Sequence, residues 1–317
     1  MVLGFAAFVM LFFIGASTFL SRISGVRYRV WKRMHRFTFP ILTIAFFHSI
    51  RLGSDMYGAV RVLWIALWVL HLILMAAKLV IGLRSRKHGL TEIVDITDDT
   101  PDTTSIVVRK PKGSFLPGQF AFVGLQYEGK WTDWHPFSLT SVPDDEHLQF
   151  TIKSVGATTR LIRQMKPGTP IRVDPGYGAF SHHFTPDDRY VMIAGGVGIA
   201  PIHSMIKDLV AKDDQGKVTL IYCVHHEDGL LFRSSLESWF AERPGWNLHM
   251  VCSRQKDWPG PVGRLTPELL VELLENDLEG TFFMCGPQGL VGSINRFLRN
   301  SGMPVKRIRR EEFVFLP

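Results

Sequence analysis

The chain has 317 residues, of which 46% are hydrophobic, 12% aromatic and 21% charged. That mix excludes a disordered, collagen-like or disulfide-scaffold protein, and the length allows about two domains or slightly more. The formal charge of +7 is unevenly placed: residues 1–88 carry twelve Lys/Arg against Asp55 alone, and the remaining 24 basic and 28 acidic side chains leave the rest mildly acidic. A nucleic-acid binder is therefore not expected. Cys223, Cys252 and Cys285 show no paired spacing, so neither a structural zinc site nor a disulfide framework is indicated.

The N-terminal quarter reads as three membrane-spanning helices. Met1 to Leu20 is uncharged and apolar, and about 20 such residues span a bilayer. A signal peptide would place its positive charge before the apolar run. Here the charge follows, at Arg22, Arg27, Arg29, Lys32, Arg33 and Arg36. A second apolar run covers Phe37 to Ile50, extendable upstream, and a third covers Tyr57 to Leu83. By the positive-inside rule the first loop and the segment after residue 83 face the cytoplasm, which puts the N-terminus outside and everything beyond about residue 88 in the cytoplasm. The expected location is a plasma or inner membrane.

Two histidines of the second run, His35 and His48, are 13 residues apart, or about 20 Å along a helix axis. Ionisable groups within a membrane point to function, and neutral imidazole is a good axial ligand for haem iron. The competing reading is an interfacial His35 and a hydrogen-bonded His48. An ideal helix sets the two rings off a common face, so Pro40 would have to kink it between them. His71, in the third run, is expected to hydrogen-bond a backbone carbonyl.

Residues 89–185 hold short β-rich runs at close spacing (Leu90–Thr97, Thr104–Arg109, Gln119–Leu125, Pro136–Thr140, Leu148–Val155, Ile171–Val173), punctuated by Gly and Pro. That rhythm predicts a small antiparallel barrel. Over residues 186–317 strands alternate with helices: Tyr190–Ala194, Pro201–Ala211, Val218–Cys223, Leu230–Ala241, Trp246–Cys252, Pro267–Leu274, Thr281–Met284 and Leu290–Asn300. The expected fold there is a doubly wound α/β domain with a parallel sheet. Its first strand runs into Gly195-Gly196-Val197-Gly198-Ile199-Ala200-Pro201, a glycine loop opening a helix. Such a loop lets backbone approach a pyrophosphate and aims helix N–H groups at it. Cys285-Gly286-Pro287 ends a later strand at the edge where such sheets bind ligands.

His135-Pro136-Phe137-Ser138-Leu139-Thr140-Ser141 resembles the flavin-binding motif of the ferredoxin–NADP reductase superfamily, in the variant of ferric reductases and NADPH oxidases. Lys153-Ser154-Val155-Gly156-Ala157-Thr158-Thr159 is similar to its FAD pyrophosphate loop, and Gly176-Tyr177-Gly178 to the turn closing its barrel. Gly195 to Pro201 resembles the NAD(P) loop, Cys285-Gly286-Pro287 the nicotinamide-side loop, and Glu311-Glu312-Phe313 the acidic-aromatic tail.

The resemblance implies FAD, with Phe137 along the isoalloxazine, Ser138 at its N5 edge, and His135 on phosphate or ribityl oxygens. Pro136, Lys153, Gly156, Thr158 and Thr159 would complete that site. It also implies a pyridine nucleotide held by Gly195, Gly196, Gly198, Ile199, Ala200, Pro201, Cys285, Gly286 and Pro287. Phe313 would cover the second flavin face and Cys285 would lie beside the hydride path; core packing is the competing reading for both phenylalanines. Ser253 and Arg254, with Lys256 near, occupy the position of a 2′-phosphate site, favouring NADPH with NADH as the alternative. Ser138, Cys285 and Phe313 are the expected catalytic residues.

In the family, haem b is gripped between histidines of the third and fifth of six membrane helices. This chain matches only the last three, so His35 and His48 are the nameable ligands. The open alternatives are a shortened form, a second chain completing the site, or no haem. The expected activity is an NAD(P)H-dependent, membrane-bound FAD oxidoreductase passing electrons to haem or another membrane or extracytoplasmic acceptor, ferric iron or oxygen. A haem-free membrane-anchored reductase and a non-catalytic subunit are the alternatives.

Overall fold

A computed structural model describes residues 37–53, 57–85 and 89–313, with positions 9, 12 and 15 besides. The first apolar run (positions 9, 12 and 15 apart), His35 and the last four residues lie outside that set. The chain falls into two compact units, Met1–Lys87 and His88–Pro317.

In the first unit, α1 (Thr38–Leu52) packs on α2 (Gly58–Ser85). Three membrane-spanning helices are not found among the described residues. Among the described residues only α2, over Gly58–Val80, is long and apolar enough to cross a membrane. The 15 residues of α1 measure about 22 Å, short of a hydrocarbon core of about 30 Å. Pro40 sits in the first described turn of this helix, where its missing N–H has no partner to lose. The α1–α2 seam is held by Phe46 on Trp64, with ring centroids 5.2 Å apart, and by His71 stacked on Phe39 at 5.7 Å.

The second unit contains two sheets. In the barrel, β1 (Leu90–Thr100), β2 (Thr103–Arg109), β3 (Phe120–Tyr127), β4 (Lys130–Trp131), β5 (His135–Ser138), β6 (His147–Lys153) and β7 (Pro170–Tyr177) run in the order β4-β3-β7-β1-β2-β6, with β5 also on β3. Beyond β5 the chain reaches β6 through a Leu139–Phe150 bridge and a Thr140 N–H bond of 2.9 Å to the Gln149 carbonyl, which closes the sheet on itself. Alternation explains the interior: along β2 and β6 the apolar residues Ile106, Val108, Leu148, Phe150 and Ile152 are buried.

The second sheet is wholly parallel, in the order β10-β9-β8-β11-β12, from β8 (Arg189–Gly195), β9 (Lys217–Val224), β10 (Asn247–Cys252), β11 (Thr281–Pro287) and β12 (Ile308–Phe313). Sheets covered on both faces need strands that are apolar throughout, and β11 reads Thr-Phe-Phe-Met-Cys-Gly-Pro. With α3 (Ala157–Ile162) in the barrel, the covering helices are α4 (Ile199–Ala211), α5 (Arg233–Ala241), α6 (Pro267–Leu273) and α7 (Gln288–Asn300). Buried residues of α4 and α5 share one core, those of α6 and α7 the other. Polar bonds join barrel to sheet: Ser204 Oγ donates to the Ser141 carbonyl at 2.7 Å, and Lys207 Nζ meets Asp145 at 2.7 Å.

Candidate functional site

Antiparallel pairing sets Ser138 opposite Phe120, Phe137 opposite Ala121 and His135 opposite Val123. Ser138 is buried and Phe137 packs on the barrel core with one edge open. His135 stands half-buried beside it, ring centroids 6.4 Å apart, and its Nε2 lies 3.1 Å from Thr158 Oγ1. That bond ties the Pro-Phe-Ser strand to the loop expected to carry a pyrophosphate.

Within that loop Thr159 Oγ1 accepts from the N–H groups of Val155 and Gly156 at 3.0 and 2.9 Å. The Gly156 N–H is thereby used internally, contrary to expectation, and the helix starts at Ala157. The N–H groups of Ala157, Thr158 and Thr159 remain without an intrahelical partner, as at any helix start. Ser154 Oγ is buried with no hydrogen-bond partner. An orphaned hydroxyl beside free N–H donors fits a phosphate, so the residues present suit FAD on their own chemistry. Lys153 pairs with Asp102 at 2.9 Å.

On the sheet side, the strand order reverses between β8 and β11, the place where ligands bind in such folds. Gly195 ends β8 there, Gly196 opens the turn that follows, and Gly198 lies against the β11 end. A cavity of about 910 Å³ opens over this edge, walled in part by Gly195, Gly196, Val197, Pro287, Lys153 and Ser253. That is room for a dinucleotide fragment. Several expected contacts do not reach its wall. Ile199, Ala200 and Pro201 are buried in α4 as core, and Gly198, Cys285 and Gly286 also lie behind the wall. Cys285 is fully buried, and burial beside Glu311 holds its thiol well above the ordinary range, so it is a neutral, enclosed group.

The barrel's closing turn meets the parallel sheet at one point. A Cβ placed on Gly178, which has φ +94, would stand 3.1 Å from the Phe120 ring and 3.3 Å from Glu311 Oε1. Glu311 is in register with Cys285, and Phe313 with Pro287. The Phe313 backbone therefore ends the tail strand beside Pro287; its side chain lies outside what the structure describes. Ser138, the Gly178 turn, Cys285 and the tail strand thus converge.

Glu311 is a group sequence reasoning did not single out as titrating. Burial pushes its carboxyl up to about 7. The folded chain then binds this proton more tightly than an unfolded one, whose carboxyl titrates near 4.5. Stability from this group is full below that lower value and is lost as pH rises through the interval to about 7. Glu311→Gln should accordingly melt closer to, or above, the parent at pH 8 than at pH 4.5, by up to about 3 kcal/mol. Thermal unfolding at the two pH values measures it.

The expected 2′-phosphate region is partly redrawn. Ser253 lines the cavity, its hydroxyl 2.9 Å from His225 Nδ1. Arg254 is exposed and off the cavity wall, whereas Arg264 lines it. Arg264 was missed because it lies eleven residues beyond Ser253, outside any strand. A bridge between Cys252 and Val262 folds that loop back beside the end of β10. Burial, with Arg254 and Lys153 near, lowers the His225 pKa.

No bis-histidine haem site is assembled among the described residues. His48 is half-buried on α1. His71 Nε2 stands 3.2 Å from the Phe39 carbonyl oxygen and 3.0 Å from Thr43 Oγ1, the backbone partnership expected of it.

Residues 91–174 match the FAD-binding domain family and residues 192–296 the oxidoreductase NAD-binding domain family. NADH-cytochrome b5 reductase 1 of Kluyveromyces lactis is 29% identical over 191 residues, 56% of this chain and 68% of that protein. The glycine betaine monooxygenase reductase subunit of Chromohalobacter salexigens is 25% identical, over 64% of this chain, which spans only 57% of that subunit's length. The fold is shared with a ferredoxin NADP+ reductase from Neisseria gonorrhoeae with bound FAD and NADP: TM-score 0.64, 23% identity, covering 71% of this chain and 98% of that one. An FAD-binding domain followed by an NAD-binding domain places the chain in the ferredoxin–NADP reductase superfamily.

Proposed function

We propose that the chain is a membrane-anchored NAD(P)H-dependent flavin reductase whose reducing equivalents leave through a partner acceptor at or within the bilayer. The observation that carries this reading is the convergence at Gly178: the barrel turn, the tail strand and the β11 end, which pairs with the β8 end of the phosphate loop, come together at one place. FAD would supply the redox chemistry, taking two electrons at once from the nicotinamide and releasing them singly. The chain's own residues do the positioning. Gly195 and Gly196 leave room for the coenzyme pyrophosphate, and the N–H groups of Ala157 to Thr159 with Ser154 Oγ receive the flavin pyrophosphate. Ser138 offers a buried hydroxyl at the junction, and Glu311 and Phe120 close it against water.

The bilayer part of the proposal rests on α2, which exposes Val62, Leu63, Leu67, Leu70, Ile73 and Leu74 along its length. Uncovered apolar surface on that scale is a membrane or partner signal. The basic segments around it orient the reductase half to the cytoplasmic side. The relatives include reductase subunits that serve a separate monooxygenase or demethylase, by their names, and a protein or small-molecule acceptor of that kind suits this chain.

Mixing the purified full chain anaerobically with NADPH or NADH tests the reading. Bleaching of flavin absorbance within seconds by one of them is expected; no bleaching by either overturns it. The reduced-minus-oxidised spectrum of the same sample, searched for sharp haem bands, decides whether the acceptor is haem carried by this chain.

A further inference from the structure

Behind the phosphate loop, on the far side of the coenzyme cavity wall, a second polar constellation has no part in the chemistry above. His182 and His183 form a short turn just after the Gly178 bend, and Asp208 lies near the end of α4. The Nε2 atoms of both histidines stand 3.0 Å from the same oxygen, Asp208 Oδ2. All three candidate ligand atoms lie within 4.8 Å of one another. None of the three residues lines the coenzyme cavity.

We propose that His182, His183 and Asp208 form a site for a divalent transition-metal ion, Zn²⁺ in the first instance. Two imidazole nitrogens and one carboxylate oxygen are a familiar zinc set, leaving a fourth position to water. A tetrahedral ion with bonds of about 2.0–2.1 Å wants ligand atoms about 3.3–3.4 Å apart. The two nitrogen–oxygen spacings of 3.0 Å therefore need to open only slightly, with the imidazole nitrogens within 4.8 Å of one another.

What stands at this point now is a side-chain cation. Lys212 Nζ, four residues along α4, lies 2.8 Å from Asp208 Oδ2 and 3.1 Å from His183 Nε2. An ammonium has donors only, so in the tautomer that meets it His183 Nε2 carries a lone pair, and in the other tautomer the same nitrogen donates to Asp208 Oδ2. In the first tautomer the cluster presents a carboxylate oxygen and an imidazole lone pair to a positive centre, which is what a metal requires. Lys212 is half exposed and can leave to solvent; Asp208 and His182 are buried and cannot. One feature limits affinity. His182 Nδ1 has no hydrogen-bond partner, so the outer bond that normally orients a metal-bound imidazole is missing.

The position gives the ion a consequence. It would tie the segment that joins barrel to sheet onto the helix whose first residues follow the phosphate loop, stiffening the back of the coenzyme site without touching it.

The full chain, freed of any polyhistidine tag and treated with chelator, is titrated with Zn²⁺ and, for its visible spectrum, Co²⁺. One ion per chain is expected, with the intense bands of a low-coordinate Co²⁺ centre. His183→Ala should weaken binding at least roughly 100-fold, more than loss of an outer-sphere partner costs. Lys212→Met should tighten it about tenfold, the worth of one competing charged hydrogen bond. No saturable binding below about 1 mM, or binding that His183→Ala leaves unchanged, overturns the proposal, as does weaker binding by Lys212→Met. Flavin content and a cooperative melt in chelator check that each variant folds, and His183→Gln replaces His183→Ala should the latter not fold. Because the readout is ion binding alone, it is independent of the reductase activity.

Discussion

Alanine at Gly198 is expected to abolish coenzyme-driven flavin reduction and to lower stability by about 3 kcal/mol or more, the upper range for forced overpacking. A Cβ there would stand 2.2 Å from the Cys285 carbonyl oxygen, 2.6 Å from its carbon and 2.9 Å from the Gly286 nitrogen. All three are backbone atoms, so no side chain can rotate away. Relief requires the loop at the end of β8 to separate from the end of β11, which widens the very edge where the strand order reverses. The cause is steric and not conformational, since φ at Gly198 is −61°, an ordinary helical value. Gly196 supplies the opposite case. A Cβ there meets nothing within 4 Å, but φ is +53°. Gly196→Ala should therefore cost only about 1–2 kcal/mol, the penalty of a left-handed conformation, and keep much of the activity. Chemical denaturation and anaerobic stopped-flow reduction of the two variants make the comparison. Reduction by Gly198→Ala at the parental rate would mean that the close approach of the two loops is not needed.

That contrast also shows what the amino-acid order discloses. The barrel and the parallel sheet were legible because their signals are local. Short β-branched runs with Gly and Pro between them predict the one; continuous apolar strands alternating with helices predict the other. The strand–glycine–helix context is present between β8 and α4 as expected, while Ile199, Ala200 and Pro201, expected as contacts, are buried in the first turn of α4. A motif records which residues stand together, not which of them face the opening. Strand β12 escaped notice because Ile-Arg-Arg-Glu-Glu-Phe has no apolar period; pairing with β11 makes it a strand. The same pairing buries Glu311, and burial is a tertiary property with no sequence signal. In the N-terminal quarter, His35, the expected companion of His48, lies outside the described residues.

Arg264→Ala should raise the KM for NADPH about 10- to 100-fold while leaving kcat and the NADH parameters near the parental values. The argument is one of position. A guanidinium makes paired charged hydrogen bonds to a phosphate, each worth about 1.5–3 kcal/mol, and every 1.4 kcal/mol is about tenfold in affinity. Arg264 and Ser253 are both on the cavity wall, whereas Arg254 is exposed and not part of it. His225 cannot substitute. Burial first, then the positive charges of Arg254 and Lys153, depress its pKa, so at neutral pH it is an uncharged imidazole bonded to the Ser253 hydroxyl. Arg254→Ala should then shift KM only through longer-range attraction, an effect that fades as salt is raised. Steady-state kinetics with both coenzymes, at matched low and high ionic strength, separate the possibilities. Equal losses for NADH and NADPH in Arg264→Ala would move that guanidinium from the 2′-phosphate to the shared pyrophosphate. An unchanged NADPH constant would instead make the cavity one built for NADH, with Arg264 only a solvated charge at its rim.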